Sequence, residues 1–118
     1  MLPTSWSAAQ AEIDRIIATT TDDPFKPTTV ANVRQFVSFA RDHCPVPEIG
    51  KGYWSTIRFT WDVTPPLEIE VFGDSFEIYR FYDQRTDISE VKCSAGEALP
   101  LELTDNLPRI GETGAQPS

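Results

Sequence analysis

Between Trp54 and Tyr82 the apolar residues fall on every second position: Ile57, Phe59, Trp61 and Val63, then Leu67, Ile69 and Val71, then Phe76 and Ile78. A period of two is the pattern of strands with one buried face. Glu68, Glu70 and Glu77 take intervening positions, so the opposite face is acidic. Thr64-Pro65-Pro66 cannot sit inside a ladder, because proline donates no hydrogen bond, and therefore marks a connection. Gly73-Asp74 between Phe72 and Ser75 reads as a two-residue hairpin turn. Three antiparallel strands in a meander follow, with Thr86–Cys93 as a short fourth.

The hairpin turn tests the register. Pairing positions whose numbers sum to 147 sets Val71 opposite Phe76 and Ile69 opposite Ile78, all on one face. A slip of one residue would mix the faces and forfeit burial. For the first two strands a sum of 130 opposes Trp61 to Ile69 and Phe59 to Val71. The same registers place Glu70 against Glu77 and Asp62 against Glu68, and like charges across a sheet are destabilising. Phe72, Tyr79 and Phe81 join the glutamates on the outer face.

Upstream, the spacing turns helical. Ser7-Ala8-Ala9-Gln10 fits a capping box, with Trp6 placed to pack onto Ala11. Ala9, Ile13, Ile16, Ile17 and Thr20 then form one stripe. Asp22-Asp23-Pro24 ends the helix. A second helix starts after Pro27, with Thr28 or Thr29 as cap. Its stripe is Val30, Val33, Val37, Ala40 and Cys44, flanked by Phe36, and Pro45 stops it. Pro45-Val46-Pro47 imposes an extended crossing, and Gly50-Lys51-Gly52 gives a flexible lead into the first strand, where Tyr53 and Trp54 pack. Pro100 suits the start of a short last helix bearing Leu103 and Leu107, and residues 111–118 read as a flexible tail. The expected fold class is α+β, with two N-terminal helices on one face of a 3–4-stranded antiparallel meander. Residues 1–110 form one domain.

At 118 residues the chain is long enough to bury one core without metal or disulfide support. Its net charge of -8 is unevenly spread. Residues 1–61 balance their acids and bases, so the whole excess lies in residues 62–118. Such a half repels phosphate, which argues against direct nucleic-acid binding and against anionic membranes. No apolar run approaches the ~18 residues of a membrane span, and the start lacks the basic and apolar blocks of a signal peptide. The expected location is cytoplasmic. Cys44 and Cys93 are too few and too far apart for a disulfide scaffold or a zinc motif.

Taken in order, Cys44-Pro45-Val46-Pro47, Ser55-Thr56-Ile57-Arg58-Phe59-Thr60-Trp61, Leu67-Glu68-Ile69-Glu70-Val71, a Gly-Asp turn and Phe76-Glu77-Ile78-Tyr79-Arg80-Phe81-Tyr82 make a recognisable series. It resembles a broad group of small bacterial and phage-associated α+β proteins over roughly residues 7–107. The resemblance implies the fold and supplies no catalytic residues. The glycine usual in that group at the start of the first strand is Ser55 here.

No residue set converges on catalysis. His43 adjoins Cys44, but sequence neighbours on a helix diverge by about 100°, so Cys44 reads as a packed thiol and His43 as a helix end. Cys93 reads as a small buried hydrophobe. Gly50-Lys51-Gly52 lacks the phosphate-loop spacing, and Asp22-Asp23 has no neighbouring ligands for a metal. No cofactor is expected. The leading expectation is a non-enzymatic module that binds another protein, basic in charge, as an immunity protein or antitoxin would. Glu68, Glu70, Phe72, Glu77, Tyr79 and Phe81 are its contact residues: aromatics supply area and carboxylates steer a basic partner. One alternative is a phage-type inhibitor that imitates nucleic acid before a nucleic-acid enzyme. Another is a small hydrolase using the clustered carboxylates, and a homodimer covering the same face is the last.

Overall fold

The structure, a computed structural model, describes residues 3–110. Helices α1 (Trp6–Thr19) and α2 (Pro27–His43) precede five strands: β1 (Glu48–Lys51), β2 (Ile57–Trp61), β3 (Leu67–Val71), β4 (Ser75–Phe81) and β5 (Thr86–Lys92). The short α3 (Leu101–Thr104) closes the order. The strands form one antiparallel sheet in the order β1-β2-β3-β4-β5. The expected α+β class holds, and the sheet has five strands rather than three or four. The added one is β1, which takes in Gly50 and Lys51 of the expected flexible lead together with Glu48 and Ile49 before it. Glu48–Lys51 pairs residue for residue with Ile57–Thr60, which satisfies backbone groups that a loop would leave to water. Residues 111–118, expected as a tail, lie outside the described residues.

The β3–β4 register is the one expected, with Ile69 opposite Ile78 and Val71 opposite Phe76. The β2–β3 register differs by two residues: Phe59 faces Ile69 and Trp61 faces Leu67. A shift of two preserves the faces, so the apolar set is unchanged while its outer neighbours are not. Thr60, not Asp62, stands opposite Glu68, and Arg58 stands directly across from Glu70.

The inner face packs under the helices. Phe36, fully buried on α2, meets Phe59 at 4.8 Å and Phe76 at 5.5 Å between ring centroids. Ile13, Ile16, Val33, Val37, Ala40 and Cys44 complete the helical side, and Leu103 and Leu107 close one end. Arg80 also points inward and donates to the Asn106 carbonyl at 2.7 Å, tying that end to β4.

Both helix starts correct the sequence reading. Ser5, not Ser7, caps α1, its hydroxyl accepting the Ala8 N–H. Trp6 donates its indole N–H to the Cys44 carbonyl at 3.0 Å instead of packing onto Ala11, which is exposed. In α2 the cap position falls on Lys26, with Pro27 as the first helical residue. Thr28 and Thr29 are therefore inside the helix, and Thr29 is buried. Asn32, also fully buried, donates to the Phe72 carbonyl at 2.8 Å and the Cys93 carbonyl at 2.9 Å. This one amide binds α2 to the β3–β4 turn and to the end of β5.

Candidate functional site

The face turned away from the helices is set by strand parity. Across β2 to β5 one row reads Arg58, Glu70, Glu77, Glu90, and the next reads Thr60, Glu68, Tyr79, Ile88. Three glutamates thus stand side by side on three adjacent strands. Neighbouring strands are about 4.8 Å apart, so each carboxylate has a like charge as its direct neighbour, an arrangement that costs sheet stability.

The protein answers this crowding unevenly. Glu70 is only 1% exposed. Its carboxylate accepts the Thr56 hydroxyl proton and occupies room left by Gly52, where any Cβ would collide with both groups. Glu68 lies 3.8 Å from the Arg58 guanidinium, a long and partly exposed pair. Burial nonetheless pushes the Glu68 carboxyl above the ordinary glutamate range, Arg58 opposing and Glu70 adding to the rise. Glu77 accepts the Tyr79 hydroxyl at 2.6 Å. Burial, then that bond and the neighbouring carboxylates, push the Tyr79 phenol upward, so it stays a donor. Tyr79 and Phe81 lie almost parallel, 6.2 Å between centroids, and Ile88 beside them is 61% exposed.

Of the six residues expected to meet a partner, Glu68, Glu77, Tyr79 and Phe81 form one continuous surface with Ile88 and Glu90. Glu70 lies beneath that surface and presents nothing to a docking protein in this conformation. Phe72 stands away from it, lining a cleft at the start of α2. Sequence reading missed Ile88, Glu90, Thr56 and Gly52. The first two follow from alternation once β5 is accepted as a full strand.

Tyr53 and Trp54, expected to pack, are instead 80% and 68% exposed at the tip of the β1–β2 connection. Trp54 borders two clefts of about 730 and 600 Å³. Neither is lined by Glu68, Glu70 or Glu77. His43 and Cys44 form no reactive pair. His43 is exposed and stacks near Phe39, whereas Cys44 is fully buried and its thiol is pushed up to about 11 by that burial, against a lowering by Arg109. Among the described residues no group of three potential ligands could hold a metal ion, and no helix is long and apolar enough to cross a membrane.

Comparisons with protein-family models, curated proteins and solved structures find no match to this chain. The site is therefore read on its own chemistry.

Proposed function

We propose that the protein is a non-enzymatic binding module whose open sheet face captures a basic protein, in the manner of an immunity protein or antitoxin. The observation that carries this reading is Glu77 and Glu90, side by side on adjacent strands, next to the half-buried Tyr79 and the exposed Phe81 and Ile88. Like charges set directly across a sheet weaken the fold, and a cationic partner would relieve them while covering the apolar strip. Carboxylates around such a strip accelerate encounter, and the aromatics contribute most of the binding energy once water is expelled. Within this reading Glu77 and Glu90 are steering charges, Tyr79 and Phe81 are anchors, and Glu70 is a structural support.

The test is co-purification on the immobilised protein at low and high salt, alongside a variant with Glu77→Gln, Glu90→Gln and Phe81→Ser. The expected result is a basic protein held at low salt, weakened at high salt and absent from the variant. Retention of the same proteins by the variant, or of none by either form, overturns the proposal. The nucleic-acid-mimic alternative uses the same face, and competition between the captured protein's DNA or RNA and this chain separates it.

A further inference from the structure

The larger of the two clefts lies at the β3–β4 turn end of the sheet and is built from residues other than those of the Tyr79–Ile88 strip. Its walls come from the α1–α2 connection, the β1–β2 tip, the β3–β4 turn and the segment after β5. A volume of about 730 Å³ falls in the range of small-molecule sites, roughly 300–1,000 Å³. Trp54 and Phe72 supply aromatic surface, and Trp54 has few internal contacts to justify an indole there, being 68% exposed.

The polar part is the start of α2. In α1 the Ser5 hydroxyl satisfies an early helix N–H, whereas α2 has no side-chain cap. Pro27 has no N–H, and those of Thr28 and Thr29 find no backbone acceptor among the described residues. A second observation points the same way. Thr29 is only 5% exposed, lines the cleft, and its hydroxyl makes no hydrogen bond among the described residues. Thr29 is not among the residues with a sealed, unpartnered polar atom, so its hydroxyl opens onto the cleft while the rest of the side chain is packed away. A helix start with free N–H groups and an idle hydroxyl favours an anion.

Charge limits which anion. Asp23 and Asp74 border the cleft against Lys26 alone, a local balance of one negative charge. This balance opposes a polyphosphate several times more strongly than a single carboxylate, which the helix start and the Thr29 hydroxyl have to hold against one net negative charge. We propose that this cleft binds a small aromatic monocarboxylate, its carboxylate held by the Thr28 and Thr29 N–H groups and the Thr29 hydroxyl, its ring against Trp54 and Phe72. The site is independent of the protein-binding face, so either can fail without the other.

The probes are 2-naphthoate, its uncharged amide 2-naphthamide, and ATP, each titrated into isotopically labelled full-length protein and followed by amide and indole NMR shifts. Naphthoate is expected to move Thr28, Thr29 and the Trp54 indole saturably below ~10 mM, and naphthamide to bind about tenfold more weakly, the effect of a charge-assisted hydrogen bond. Thr29→Val keeps the side-chain shape and should weaken naphthoate about three- to tenfold. Trp54→Ala, at an exposed position, should weaken both naphthalene probes. The spectrum of each variant reports whether it is folded. Absence of saturable shifts with naphthoate, equal binding of naphthoate and naphthamide, unchanged affinity in folded Thr29→Val, or ATP binding as tight as naphthoate would each overturn the proposal.

Discussion

The two faces of the sheet obey the same alternation and are governed by different physics. On the inner face each apolar residue meets several others, so the whole set acts together: Phe36, Phe59 and Phe76 interlock and every strand contributes. On the outer face neighbours are like charges, and the protein handles each singly. Glu70 is sealed under Thr56 and Gly52, Glu68 is loosely paired with Arg58, and Glu77 is occupied by a tyrosine hydroxyl. The inner face is explained by stability, the outer face only in small part. That difference is why the outer face is the better place to look for a partner.

The largest expected effect breaks the comparison if it fails. Phe59→Ala on the inner face should cost about 3–5 kcal/mol of unfolding free energy, whereas Phe81→Ala on the outer face should stay within about 1 kcal/mol. Urea denaturation of the two variants measures both, and comparable losses would mean that the outer strip is part of the core. A middle-sized effect is expected at Gly52. Alanine there must displace the Thr56 and Glu70 side chains, at a cost of about 1–3 kcal/mol. Gly50→Ala is the control, since its added methyl meets only the movable Arg58 guanidinium, at 3.3 Å, and should cost less.

The smallest effect depends on pH. Because the Glu68 carboxyl titrates higher in the folded chain than in the unfolded one, the folded state holds its proton more tightly. The contribution of Glu68 to stability is thus fully present below its unfolded value of about 4.3 and is lost as pH rises through the folded value. Glu68→Gln should be more stable than the parent at pH 7, with an advantage that fades as pH falls toward about 4.3. Thermal unfolding across that range checks the sign, and a variant less stable at pH 7 would show that the Arg58 contact outweighs burial.

Much of the architecture was open to reading because one physical rule, burial of an apolar face, sets helix and strand periods alike. The Val71–Phe76 pairing followed from the two-residue turn, which leaves one register that keeps the faces apart. The β2–β3 pairing did not, because the longer proline connection permits shifts of two residues at no cost to burial. β1 was hidden because Glu48–Lys51 is short and carries a glycine and two charges, so backbone pairing with β2 makes it a strand where side chains do not. The buried polar residues were partly visible. Thr29, Asn32, Phe36 and Ala40 recur at helical spacing, so two polar side chains sat on the core-facing stripe of α2. What Asn32 bonds and what Thr29 leaves open required the turn after β3 to be placed against the helix.

By itself the chain determined two helices, an alternating sheet, a dry side and an acidic side, because these depend on local period and composition. Only the tertiary structure decided that Glu70 is sealed while Glu77 is not, that Tyr53 and Trp54 face water, and that a cleft opens at the start of α2. Each of these depends on which distant segment lies alongside, and a linear pattern carries no record of such neighbours.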